Sequence, residues 1–147
     1  MQRLLIVLVS LLVGCTASPF APGMRTATIE VGYLDSTIAG VRERVGYRVS
    51  GQTMEESREA APIDGTRPAP VVRTVTLTAQ QRGEVERLAR DALAQRDLDA
   101  RCTDSPSASL TVTWPGGRQE TAAITYCGPN PPSGSALDAL VRYLGAL

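Results

Sequence analysis

The sequence predicts an α+β domain: an antiparallel sheet of four to five strands, arranged as two hairpins, with two helices on one face. Three observations lead there. Apolar residues alternate with a period of two in several short runs, two later stretches switch to helical spacing, and clusters of Gly, Pro, Asn and Asp punctuate the boundaries. Strands and helices in this order, without regular β-α-β alternation, form a sheet with helices packed on one side.

The first alternating run is Ala27 to Tyr33, with Ala27, Ile29, Val31 and Tyr33 on one face and Thr28, Glu30 and Gly32 on the other. Asp35-Ser36-Thr37 then reads as a turn. A second run, Val41 to Val49, sets Val41, Glu43, Val45, Tyr47 and Val49 opposite Arg42, Arg44 and Arg48, as expected of the hairpin partner. That arginine row has the makings of an anion or lipid-headgroup site, but such a row is more often the solvated face of a sheet, and that is the reading preferred.

Residues 50–70 hold Gly, Pro and charged residues without periodicity and are expected to form a flexible loop. Val71 to Leu77 is a third strand-like run, either separate or a continuation of the second strand, and it leads into Thr78-Ala79-Gln80-Gln81. The Thr78 hydroxyl and Gln81 side chain fit a capping box. The helix that follows carries Val85, Leu88, Ala89, Ala92 and Leu93 on one face.

A second hairpin is expected from Ser109 to Cys127, with Leu110, Val112 and Trp114 inward on one strand and Ala122, Ile124 and Tyr126 inward on the other. Pro115-Gly116-Gly117-Arg118 makes its turn. Trp114, the single tryptophan, suits a core or rim anchor, with a ligand platform as the alternative. After Gly128-Pro129-Asn130-Pro131-Pro132, Ser133 or Ser135 can cap a last helix with Leu137, Leu140, Val141 and Leu144 on one side.

The first residues are not part of this domain. Met1-Gln2-Arg3 is a short positive start, and Leu4 to Val13 is an apolar run of ten residues. A permanent span needs about 20 apolar residues, whereas a run of this length suits the hydrophobic region of a signal peptide. It ends in Leu12-Val13-Gly14-Cys15, which resembles the lipobox of bacterial lipoproteins. The resemblance implies that residues 1–14 are removed and that Cys15 is lipidated and inserted in a membrane. One acyl chain binds only marginally, so two or three would make a stable anchor. Residues 15–23 then serve as lipidated cysteine and tether, with a mean span of roughly 15 Å, and 24–147 form a single domain. Thr16, where inner-membrane lipoproteins carry aspartate, implies the periplasmic face of the outer membrane if the host is Gram-negative.

Composition narrows the chemistry. The chain has 147 residues, 15 arginines and no lysine, 15 acidic residues and no histidine. A neutral surface speaks against a nucleic-acid partner. Lack of histidine removes Ser-His-Asp, Cys-His and histidine-zinc arrangements, no phosphate-binding glycine motif occurs, and the pairs Asp97/Asp99 and Glu55/Glu56 sit in loop-like stretches. The expectation is a non-enzymatic protein with no cofactor and no metal. With Cys15 consumed by lipid, Cys102 and Cys127 remain as an even pair in an oxidising compartment, which suggests a disulfide. It would close a loop of about 25 residues, worth roughly 3.5 kcal/mol.

Asp35-Ser36-Thr37-Ile38-Ala39-Gly40-Val41 resembles the first turn of the emfourin family, small bacterial inhibitors of thermolysin-like metalloproteases, in its Ala-Gly-aliphatic part. Ser36 and Thr37 stand where that family has two glycines, and Ile38 where it has an aromatic residue. The resemblance implies an inhibitory turn at Ser36, Thr37, Ile38 and Ala39. Taken together, the sequence points to a membrane-anchored envelope lipoprotein that binds or organises an envelope protein, with a tethered protease inhibitor as the alternative. The disulfide has a direct test: the intact mass of the exported chain should lie about 2 Da below its fully reduced mass. A mass equal to the reduced value would refute the pairing.

Overall fold

The computed structural model describes residues 24–36, 41–62, 69–95, 105–126 and 135–147. The signal segment 1–14, Cys15 and its tether, Thr37, Ile38, Ala39, Cys102, Cys127 and Ser133 lie outside the described residues. The chain opens with a single 3-10 turn, Met24–Thr26. It continues as β1 (Thr28–Ser36), β2 (Val41–Ser50), β3 (Thr53–Pro62), β4 (Val71–Thr76), α1 (Ala79–Gln95), β5 (Ser107–Thr113), β6 (Gln119–Thr125) and α2 (Ala136–Gly145).

The six strands form one sheet in the order β4-β3-β2-β1-β5-β6, with every neighbouring pair antiparallel. The α+β class and the two helices match the sequence reading, but the strand count is six rather than four to five. The difference lies in residues 50–70, expected as a loop. Thr53–Pro62 is instead a ten-residue strand, paired with β2 from Ser50↔Thr53 to Val41↔Pro62. On its helix-facing side Met54 and Glu56 are buried while Arg58 and Ala60 are exposed, so the apolar alternation that marks a strand is missing. Val71–Thr76 is separate from the second strand and forms the sheet edge.

Register explains the core. Ile29↔Val49, Val31↔Tyr47 and Tyr33↔Val45 face each other across β1 and β2, while Ile29↔Val112 and Val31↔Leu110 do so across β1 and β5. On β6, Ala122 and Ile124 complete the row beside Leu110 and Ala108. These side chains are buried together with Val85, Leu88, Ala89 and Ala92 of α1 and Leu137, Leu140 and Leu144 of α2. The two helices pack on each other and over β5 and β6. Burying a leucine or isoleucine side chain is worth about 1.5–3 kcal/mol, so this one face supplies the main driving force. Because β4 and β5 run in the same direction, α1 carries the chain across the sheet between them.

Local chemistry sets the boundaries. The Thr78 amide donates to Gln81 Oε1 at 2.8 Å and the Gln81 amide to Thr78 Oγ1 at 3.2 Å, the expected capping box. Ser135 caps α2 by accepting from the Asp138 amide at 3.2 Å, and Gln95 Oε1 at the end of α1 accepts from the Ala136 amide at 2.8 Å. The β5–β6 turn needs its glycines, since Gly116 and Gly117 adopt φ of 92° and 87°. Trp114 is partly buried against the core, with the Arg118 guanidinium 5.1 Å from its ring centroid, which makes it the rim anchor of the two readings.

One buried ion pair ties the first residues of the domain to α1. Arg82 Nε donates to Glu86 Oε1 at 2.8 Å, and Arg82 Nη2 donates to the carbonyls of Met24 and Ala27 at 2.9 and 3.2 Å. Arg82 and Glu86 are 5% and 4% exposed, and Met24 and Ala27 are likewise buried. Arg82→Ala strands the Glu86 charge and removes a donor from two carbonyls, so it should cost about 3–5 kcal/mol in a urea titration. The double change Arg82→Met with Glu86→Leu should regain part of that loss, because no charge is then left unpaired. A loss under about 1 kcal/mol for the single change would show that water can replace the guanidinium.

Candidate functional site

The described residues hold no group of three His, Cys, Asp or Glu side chains placed to bind a metal ion. No described helix is long and apolar enough to cross a membrane. The chemistry is distributed over three places: a carboxylate cluster beside the helices, the bare face of the sheet, and the end of the sheet where the first hairpin turns.

The cluster is built on β3, where Glu56 points toward the helix side near Gly145, the last residue of α2. Its carboxylate is 4% exposed and is held from both sides: Arg58 Nε lies 2.6 Å from Oε1, and Arg73 Nε and Nη2 lie 2.8 and 2.7 Å from Oε2. Register sets this up, since Glu56 faces Tyr47 on β2 and Arg73 on β4. Arg58 also reaches Glu43 at 3.4 Å. Burial pushes the Glu56 carboxyl upward, but the hydrogen bonds from Arg58 and Arg73 outweigh it and hold the group below the ordinary glutamate value. Burial, reinforced by the Glu56 charge, raises the Tyr47 hydroxyl. A cleft of about 290 Å³ is lined by Glu56, Arg58, Val71, Arg73 and Gly145. Two arginines against Glu43 and Glu56 leave no net charge, so the cluster stabilises the sheet at the end of α2 and does not call for an anion.

The bare face carries a trough of about 410 Å³, with Glu30, Arg48, Glu55 and Thr111 beside a row of small residues. Ser109, Gly32, Gly46 and Ser57 stand in register across four strands. A Cβ on Gly46 would come 2.8 Å from Ser57 Oγ, and one on Gly32 would come 3.0 Å from Ser109 Oγ, so the row is low because the glycines have no side chains. Arg44 and Arg48 of the predicted arginine row lie on this face and are exposed, whereas the side chain of Arg42 lies outside the described residues. Arg48 faces Glu55 on β3 and lies 3.6 Å from Glu30 on β1, and Arg44 faces Glu59. The arginines thus alternate with acids across the strands, which is a solvated face with mixed charge. Sequence reasoning could not see this pairing while Glu55 and Glu59 stood in a supposed loop.

Of the predicted interaction segment, Ser36 ends β1 and its backbone pairs with Arg42, which closes the first hairpin. Thr37, Ile38 and Ala39 lie outside the described residues. That end of the sheet also receives the exits of α1 and β6, the elements that precede Cys102 and Cys127. The Tyr126 amide donates to the Pro106 carbonyl at 2.8 Å there, and the Tyr126 hydroxyl donates to Asp138 Oδ1 at 3.2 Å. Burial, with Asp138 beside it, pushes the Tyr126 hydroxyl well above the ordinary tyrosine value. Asp138 is also bound by Arg142, one helical turn along.

The residues missed by sequence reasoning are Glu56, Arg82 and Glu86. Arg82 and Glu86 did leave a signal, because with Val85 and Ala89 they complete the i, i+3, i+4, i+7 stripe that faces the core. Comparison with known proteins finds no family model, no curated protein and no solved structure that matches this chain.

The Glu56 cluster makes stability depend on acid. Because the folded-state value lies below the unfolded value near 4.5, the contribution is complete above that pH and is lost as pH falls through the lower folded value. Thermal melts of Glu56→Gln should therefore start lower at pH 7 and fall less steeply than wild type below about pH 4.5. The arginines are half exposed, so about 0.5 M salt should shrink the difference. Parallel pH curves for the two proteins would show that Glu56 is not the titrating group.

Proposed function

We propose that this chain is a non-enzymatic, lipid-anchored lipoprotein of the cell envelope that binds or organises another envelope protein. The observation that carries the reading is the way the domain begins. A segment with the pattern of a lipoprotein signal, Leu12-Val13-Gly14-Cys15, is followed nine residues later by Met24, whose carbonyl is clamped to α1 by the buried Arg82. A tether joined to so firm a point would hold the domain close to the membrane. The mixed-charge sheet face and the first hairpin turn are the surfaces such an adaptor could offer a partner. Cys102 and Cys127 follow elements that reach one end of the sheet, which supports a disulfide between them.

Lipidation is tested by Cys15→Ser, which removes the acceptor thiol. The variant should leave the membrane pellet for the soluble fraction; retention in the pellet would overturn the anchor. The partner is tested by affinity capture of the lipidated protein from native envelopes, with an unrelated lipoprotein as control. A reproducible envelope protein supports the adaptor reading, and hydrolytic activity of the purified chain that vanishes on changing one carboxylate contradicts it.

The alternative, a tethered inhibitor of a thermolysin-like metalloprotease, is supported by one observation: β1 and β2 pair antiparallel up to Ser36 and Arg42, the residues that flank the segment resembling the inhibitory turn. It predicts sub-micromolar inhibition that Ile38→Asp abolishes. Inhibition unaffected by that change would remove the turn from consideration.

A further inference from the structure

We propose that the end of the domain at which the chain enters lies against the membrane and takes the phosphates of anionic lipid headgroups. The proposal rests on the lipoprotein reading, because an anchor at Cys15 is what brings the domain to a bilayer, and it adds which surface meets the lipid. Antiparallel register defines that end. Thr76↔Thr53, Ser50↔Thr53, Thr28↔Thr113 and Thr113↔Gln119 lie in one row across the sheet, with Ile29↔Val49 joining its two halves. Beyond this row stand Met24–Thr26, the Gly51-Gln52 turn, the start of α1 at Ala79 and the 114–118 turn. The first hairpin, closed by Ser36↔Arg42, turns at the opposite end.

Charge sets the entry end apart from the rest of the surface. Residues 24–27, 50–53, 76–80 and 114–119 include Arg25 and Arg118 and no acidic residue. Both arginines are exposed, and Arg25 has no ion pair among the described residues. Arg118 stacks on Trp114 and lies 3.1 Å from Glu120, the acid that follows the turn. An amphipathic ring beside a guanidinium is a pairing suited to the headgroup boundary. α1 starts here as well, so the positive end of its dipole adds to the same sign. The two broad faces of the domain differ, since Arg44, Arg48 and Arg87 there each have an acid beside them. An anionic bilayer gains least from charges that are already compensated.

Next to Arg25 this end opens into a cleft of about 390 Å³ between the Gly51-Gln52 turn and the first turns of α1. Gly83 lines it, and a Cβ added there would meet nothing within 4 Å, so the cleft is roomy where a helix would ordinarily carry a side chain. Arg82 forms part of the wall, and its Nη1 is buried with no hydrogen-bond partner among the described residues. The Glu86 carboxylate in the same wall is held by Arg82 Nε, on the edge of the guanidinium away from Nη1. Donors exceed acceptors here, which is the balance that suits a phosphate oxygen.

The length of chain before the domain favours the same orientation. Nine residue steps from Cys15 to Met24 span roughly 15 Å on average and at most about 30 Å. β1, with nine residues, itself covers about 30 Å. Setting the Ser36 end on the bilayer would therefore require the chain to run fully extended along the whole domain, whereas the entry end reaches the bilayer without that loss of entropy.

Trp114, the single tryptophan, is a built-in probe of the entry end. The test reconstitutes the full lipidated protein in vesicles of phosphatidylcholine and phosphatidylglycerol in which a fraction of the headgroups carries a nitroxide quencher. Trp114 should be quenched several-fold more strongly than the probe of a Trp114→Phe, Arg44→Trp chain, which lies on an exposed position toward the other end. Arg25→Glu should weaken the quenching of Trp114 without moving the thermal melt, and about 0.5 M salt should weaken it in wild type. Quenching at position 44 equal to that at 114 overturns the orientation. Quenching of Trp114 that ignores Arg25→Glu and is unchanged when phosphatidylglycerol is left out overturns the headgroup contact. Intact mass of the same samples reports acylation of Cys15 separately: an acylated chain with uniform quenching overturns this proposal alone, whereas an unacylated chain overturns the anchor and this proposal with it.

Discussion

The contact on which the rest of the structure depends is the buried Arg82 side chain. It draws Glu86 from its own helix and the carbonyls of Met24 and Ala27 from the start of the chain into one small volume. Two charges taken out of water are costly, and their attraction alone rarely repays the loss. Here Nε and Nη2 meet three acceptors at 2.8 to 3.2 Å, the Glu86 carboxylate among them, while Nη1 is buried with no partner among the described residues. The geometric consequence is larger than the energetic one. Ala27 leads directly into β1, and β1 is the strand between β2 and β5 through which the two halves of the sheet are joined. Fixing its first residue to α1 fixes the sheet beneath the helix.

Once that contact is made, the cover over the sheet is uneven. α1 and α2 lie over β5 and β6, and the aliphatic core thins toward β4. A hydrophobic residue at position 56 would find little to pack against at that side. Glu56 fills the position instead, with Arg58 and Arg73 folded over it and Tyr47 beneath. Charge thus completes the packing where α2 ends, with solvent available to the half-exposed arginines. β4, at the sheet edge, is held against β3 by this cluster, by Val75 packed on the core opposite Met54, and by its backbone pairing.

How much of this was legible in the sequence follows from where side chains carry the periodic signal. β1, β2, β5 and β6 alternate in apolar character, α1 and α2 repeat at helical spacing, and the capping box at Thr78 announces the helix start. All of these could be read because their buried positions are apolar. β3 could not, since its buried positions are Met54 and Glu56, and a buried glutamate resembles an exposed one until its partners are known. The same blindness hid the pairing of Arg44 with Glu59 and Arg48 with Glu55, and so left the arginine row open to two meanings. Arg82 and Glu86 were masked by their chemistry although their spacing placed them inward.

The bare face follows from the same division of labour. With both helices on one side, the other side of the six-stranded sheet carries no layer among the described residues and meets water with its own side chains. Interleaved Glu30, Arg48, Glu55, Arg44 and Glu59 meet that demand, and the low row of Ser109, Gly32, Gly46 and Ser57 keeps the surface shallow. Alternating acids and arginines hold one another's charge on this side, while the apolar side chains are gathered on the other, so the two sides of one sheet answer two different solvents.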